Sequence, residues 1–194
     1  SDDTVESIKI TLIDEISGVE VRLYYAVFEE KDIITRAVRV KNTGKEKVTI
    51  NKLQSVVLDI PQGDFELLHF HGRWAMERQK EFLSIRHGMI SFGSNYGVSG
   101  NRQNPGFIIM NSKTTENHGE CYGFNLVYSG NFTATAEQAS LGQTRITLGL
   151  GDSSFAWVLK QNEIFEAPEA VMTFSNQGLT KVSQNFHDLI RENL

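Results

Sequence analysis

A single cysteine, Cys121, in 194 residues excludes an intramolecular disulfide and a thiolate metal cage. Positive charge is also short. Nineteen Lys and Arg against twenty-four Asp and Glu leave a formal charge of −5, which carries no electrostatic footprint for a phosphate backbone or an anionic membrane surface and argues against a nucleic-acid partner. Long hydrophobic runs are missing. Leu23 to Phe28 and Phe107 to Met110 fall far short of the ~20 apolar residues of a membrane helix, so no membrane span is expected. No basic, apolar leader stands at Ser1, and with one lone thiol the expected compartment is the reducing cytoplasm. Proline is scarce, with three in the chain, and neither a linker nor a low-complexity tract interrupts it.

What is present is 40% hydrophobic residues, enough for one sizeable core or at most two small ones and too many for intrinsic disorder. Sixteen glycines, twelve phenylalanines and five tyrosines suit short strands and tight turns. Period-two alternation sets Ile8, Ile10 and Leu12 on one face before a turn at Ser17-Gly18, then Val19, Val21, Leu23, Tyr25 and Val27, then Ile34, Val38 and Val40. Further runs follow at Val48 to Asp59, Phe65 to His71, Phe82 to Arg86, Phe107 to Met110, Tyr122 to Tyr128, Phe132 to Glu137, Thr144 to Leu148, Phe155 to Leu159 and Val171 to Phe174. Turn chemistry separates them, among it Gly88, Ser129-Gly130-Asn131 and Gly149-Leu150-Gly151-Asp152. Roughly a dozen strands near ten-residue spacing predict an all-β, antiparallel sandwich or barrel. Leu179, Val182, Phe186, Leu189 and Ile190 fall at helical spacing, with Thr180 as expected N-cap and Gly178 as the break before it. Leu194 interrupts that helix, so the expected organisation is one β domain over residues 1–178 and, over 179–194, the start of a helix leading onward.

His69-x-His71 puts two imidazoles on one face of a strand, a metal-site spacing, but no acidic or sulfur ligand stands at a recognisable distance. The expected metal and cofactor content is none. The segment Gly93 to Gly106 is glycine-rich without a Gly-Lys-Ser/Thr ending and reads as a long surface loop rather than a phosphate cradle. Glu66, Glu77, Glu116, Glu120, Glu163 and Glu166 have no readable pairing of the kind a glycosidase needs. Cys121, in Gly119-Glu120-Cys121-Tyr122-Gly123, has no activating signature and reads as a small buried residue. Arg73-Trp74 is of more interest, because a pyranose ring stacks on an aromatic face and a guanidinium supplies donors for its hydroxyls; the alternative is a core tryptophan.

Several segments resemble the N-terminal domain of the bacterial α-galactosidases of glycoside hydrolase family 36, the melibiases. The run Asp64-Phe65-Glu66-Leu67-Leu68 followed by Gly72-Arg73-Trp74-Ala75-Met76-Glu77-Arg78 is similar to one in that family, as are Ser84-Ile85-Arg86-His87-Gly88 and Asn104-Pro105. The most specific match is Gly119 to Phe132, and Gln143-Thr144-Arg145, Pro168-Glu169-Ala170, Ser175 to Leu179 and Ser183-Gln184-x-Phe186-His187 continue it. Tyr96 to Gly100 reads as an insertion. The resemblance implies a galactose-mutarotase-like β-supersandwich with one C-terminal helix that connects to a catalytic TIM barrel. It implies a non-catalytic domain acting as scaffold, subunit interface of a homo-oligomer (a tetramer) and contributor to a neighbouring galactoside site, with catalytic carboxylates outside this chain. Phe65, Arg73 and Trp74 are the substrate-binding residues expected from it. The alternatives are a free-standing carbohydrate-binding module, or an aldose-1-epimerase-like enzyme with a Glu base and His acid in one cleft.

Overall fold

The computed structural model describes residues 5–151 and 155–193. The first alternating run folds as β1 (Val5–Asp14), pairing along its whole length with β2 (Val19–Phe28), which pairs in turn with β3 (Ile33–Asn42). These join β15 (Ala170–Ser175), β10 (Cys121–Leu126), β9 (Gln103–Asn111), β6 (Phe65–Arg73) and β7 (Met76–Ser84) in a nine-stranded antiparallel sheet, with β14 (Ile164–Glu166) added beside β3. A four-stranded sheet runs in the order β5 (Leu53–Ile60), β12 (Thr144–Leu150), β11 (Phe132–Gln138) and β8 (Gly88–Ser94). The short pair β4 (Val48–Ile50) and β13 (Trp157–Leu159) closes one corner.

The runs Leu67-Leu68 and Phe107 to Met110 are apolar without alternation because both faces of the large sheet are covered there. On one face Phe65, Leu67, Phe107, Ile109 and Phe124 meet Val56, Phe132, Ile146 and Leu148 of the smaller sheet. On the other, Leu68, Met110 and Cys121 receive Leu179 and Val182 of α1 (Gly178–Asn193). Each such side chain contributes roughly 1.5–3 kcal/mol of burial. The all-β antiparallel fold with one C-terminal helix thus follows from the alternation.

Some local expectations are corrected. Gly178 begins α1 instead of breaking the chain before it, and the first-turn N–H groups are satisfied by a loop, not by a Thr180 side chain: Leu179 N–H donates to Thr115 O at 3.1 Å and Thr180 N–H to Glu116 O at 2.9 Å. A Cβ at Gly178, whose φ is 80°, would lie 2.5 Å from His118 N. The expected loop from Gly93 to Gly106 shrinks to residues 95–102, because β8 runs through Ser94 and β9 starts at Gln103. Strands β7, β8 and β14 extend or add to the expected set. The expected turn residue Asp152 and the helix-interrupting Leu194 lie outside the described residues. Among the described residues no helix is long and apolar enough to cross a membrane.

Candidate functional site: the tip of the β6–β7 hairpin

Strands β6 and β7 pair from Glu66↔Ser84 to Arg73↔Met76 and turn through Trp74 and Ala75. Ala75 takes the left-handed conformation at φ 61°, and its N–H donates to Glu77 Oε1 at 2.8 Å, so an acid of the same strand stiffens the turn. Gly72 sits where the register shifts. A Cβ there would collide with the Met76 carbonyl oxygen and stand 3.0 Å from Asn101 O, so a glycine is required by close backbone approach. Arg73 lies back against Met76, with Nε and Nη2 at 3.4 and 3.2 Å from Sδ. Trp74 is 88% exposed. The tip therefore presents an indole and a guanidinium to solvent.

Phe65 is not brought to this tip. It is buried in the sandwich core, edge-on to Tyr122 at 6.5 Å between ring centroids, and lies at the other end of β6, roughly 26 Å along the strand from Arg73. The expectation that Phe65 shares a site with Arg73 and Trp74 is corrected on that ground: its position in the register gives it a packing role.

Behind the tip, His69 is 6% exposed. Its Nε2 lies 3.1 Å from Glu81 Oε2 and its Nδ1 3.2 Å from Gln103 Nε2, while Phe92 stacks on the ring at 5.0 Å. With Gln103 donating to Nδ1, the imidazole is a neutral Nε2–H donor to Glu81. Burial, partly offset by the Glu81 charge, holds its pKa below the ordinary value. His71 Nε2 shares the same carboxylate oxygen at 3.7 Å. Among the described residues no three groups converge as a metal site. Nor is this pair arranged as an epimerase needs it, for His69 and Glu81 are bonded to each other instead of flanking a space for a sugar ring.

The remaining carboxylates are dispersed: Glu116 faces Lys80 at 3.4 Å, Glu166 faces Arg39 at 3.0 Å, and Glu163 accepts the Lys160 N–H at 2.8 Å. Cys121 is fully buried, and desolvation pushes its thiol up to about 11, a protonated and unreactive state at neutral pH.

Sequence reasoning missed Glu81 and Gln103 as the groups that fix His69. Counting back from the Trp74–Ala75 turn would have placed Lys80 opposite His69; the shift in register at Gly72 brings Glu81 there instead, and the Gln103 contact depends on the β6–β9 register, neither of which a local signal gives.

Comparison with known proteins gives one consistent answer. Residues 1–160 match the family model described as the glycosyl hydrolase family 36 N-terminal domain. The chain is 44% identical over 189 residues to the bifunctional α-galactosidase/sucrose kinase AgaSK of Mediterraneibacter gnavus, covering 97% of this chain and 20% of that protein. It is 37% identical to α-galactosidase AgaA of Geobacillus stearothermophilus, covering 97% of this chain and 26% of that protein. A crystal structure of an AgaA variant in complex with stachyose superimposes with a TM-score of 0.95 at 36% identity, over 99% of this chain and 27% of the other. The chain thus spans about a fifth to a quarter of the curated relatives' length.

Proposed function

Because the chain belongs to the glycosyl hydrolase family 36 N-terminal domain family, we propose that it is the non-catalytic N-terminal domain of an α-galactosidase that releases terminal α-linked galactose from melibiose- and raffinose-type sugars. In this reading it serves as scaffold and subunit interface of a cytoplasmic homo-oligomer, α1 leads on to a catalytic TIM barrel, and the Arg73–Trp74 tip lines the sugar site of a neighbouring subunit. The observation that carries the last role is the 88% exposure of Trp74 at a stiffened turn. At that tip the whole flat face of the indole is open, and beside the Arg73 donors it suits a pyranose.

The interface role draws on a second feature. Ile8, Ile10 and Leu12 of β1 are 58, 41 and 54% exposed. By register they lie on the face of Tyr25, Leu23 and Val21, continuous with an apolar groove of about 560 Å³ lined by Val27, Ile34, Met172 and Phe174.

The test is made on the longer enzyme. Trp74→Ala is expected to leave a folded oligomer of unchanged size with kcat/KM on raffinose lowered about tenfold or more, as for a lost stacking contact. Unchanged kinetics would remove the tip from the sugar site. The 194-residue chain alone is expected not to turn over an aryl α-galactoside, since in this reading the catalytic carboxylates belong to the barrel of the longer enzyme. Turnover abolished by changing one of its own acids would overturn the non-catalytic reading.

A further inference from the structure

The hairpin tip does not stand alone. Gly72 N–H donates to Arg102 O at 3.3 Å, and Asn101 O packs against the same glycine, so the loop of residues 95–102 lies directly beside the turn. That loop carries an aromatic–guanidinium pair of its own: the Arg102 guanidinium lies over the Tyr96 ring at 4.9 Å, and Tyr96 is 73% exposed. Trp74 is two residues, roughly 7 Å of strand, beyond the Gly72–Arg102 bond, so the two aromatic–guanidinium pairs project from adjoining segments.

The loop is also held from behind. Ser94 Oγ donates to Val98 O at 2.6 Å, Gly97 N–H to Asn131 Oδ1 at 2.6 Å, Ser99 N–H to Ser129 O at 2.8 Å and Ser99 Oγ to Tyr128 O at 3.0 Å. Such fastening lowers the ordering cost that a free loop would bear on binding. A stacked, already oriented guanidinium keeps its edge donors for a ligand.

We propose that Tyr96 and Arg102 form a second sugar platform, set beside Arg73 and Trp74 so that the two contact adjoining rings of one oligosaccharide, which makes this chain itself selective for galactosides of more than one ring. One aromatic platform distinguishes little between a monosaccharide and a longer sugar, because each offers it one ring. Two platforms reward the longer ligand with a second stacking contact, worth about a factor of ten in affinity. The proposal rests on the reading of Trp74 as a sugar contact and adds a residue pair that determines ligand length.

The experiment is ligand-observed saturation-transfer NMR on the 194-residue chain, with titrations of galactose, melibiose and raffinose. Raffinose is expected to bind about tenfold more tightly than galactose. Tyr96→Ala should reduce raffinose to the affinity of galactose without changing galactose itself. Tyr96→Phe, which keeps the ring, should retain the wild-type preference, and Arg102→Lys, which keeps the charge but loses the planar fork, should lose part of it. Equal affinities for raffinose and galactose, an unchanged raffinose affinity in Tyr96→Ala, or no binding of any of the three sugars would overturn the proposal. Failure of the underlying reading has a separate mark: Trp74→Ala would then leave every wild-type affinity unaltered, whatever Tyr96→Ala does. Both aromatic side chains are exposed, so circular dichroism of the variants should match the wild type, and loss of binding would not reflect unfolding.

Discussion

Gly72 and Trp74, two residues apart, answer to different constraints, and substitution separates them. An alanine at Gly72 forces a methyl group into the Met76 carbonyl and against Asn101, neither of which is the movable end of a side chain. Gly72→Ala is expected to cost about 1–3 kcal/mol, as overpacking does, which in a chain of this size lowers Tm by roughly 2–12 °C. Trp74→Ala removes an indole that is 88% exposed, so it should stay within about 0.5 kcal/mol of wild type in the same thermal melts. A larger loss would mean that Trp74 packs within its own domain. Cys121 gives a residue-scale expectation of another kind. Its thiol lies at 3.7 Å from Ser175 O, with no solvent access and a folded-state pKa of about 11 against an ordinary 9.0. Because the folded state holds this proton more tightly than the unfolded state, the contribution is fully present below pH 9 and is lost as pH rises towards 11. Ellman's reagent should therefore label native Cys121 at a rate limited by unfolding, and Cys121→Ser should flatten the alkaline limb of the stability profile. Rapid native labelling would contradict the burial.

At the scale of elements, α1 is joined to the sheet by polar as well as apolar contacts. Asn185 is 1% exposed, and its Nδ2 donates to Thr173 Oγ1 at 2.8 Å, which donates to Asp32 O at 2.7 Å. One chain of hydrogen bonds thus links helix, β15 and the β2–β3 corner. Asn185→Ala is expected to destabilise by about 1–3 kcal/mol through loss of that donor, measured by urea unfolding; a neutral result would show that the Asn185–Thr173 bond adds nothing to the apolar and capping contacts of α1. The elements that sequence patterns reveal are those with an asymmetric or fully covered environment. Strand β3 was legible in its second half, where Val38 and Val40 alternate with half-buried Arg39 and Lys41, but not in its first, where Ile34, expected on the same covered face, is exposed and its neighbours Ile33 and Thr35 are buried. Strand β7 was mostly illegible because, as an edge strand with residues exposed on both faces through Glu81, it has no alternation to display. The cap of α1 was misread because its acceptors come from residues 115 and 116, distant in sequence. The candidate site divides in the same way. Arg73 and Trp74 could be picked out by residue type, and the glycine before them by its turn chemistry. The nearness of Tyr96 and Arg102, and the distance of Phe65, follow from register between strands far apart in the chain, which composition does not encode.

For the whole molecule, the mismatch between a nine-stranded and a four-stranded layer decides where surface is left over. The smaller sheet and α1 cover the middle of the large one and the β4–β13 pair covers the Val19–Val21 end of β2, whereas β1 overhangs. On β1, Ile8, Ile10 and Leu12 are all more than two-fifths exposed, and among the described residues β1 is an edge strand with a free row of backbone groups. An apolar stripe on an open edge is a template for association unless another surface covers it. In the proposed enzyme that cover comes from the rest of the assembly; in the 194-residue chain by itself it does not. The chain should therefore self-associate in sedimentation velocity at tens of micromolar, and the double variant Ile10→Lys with Leu12→Lys should sediment as a monomer. Since both side chains are already largely in water, their replacement should alter Tm little, which distinguishes a lost interface from a damaged fold. A wild-type chain that is monomeric at every concentration, with the variant indistinguishable from it, would mean that the overhang drives no association and would remove the apolar edge from the interface role.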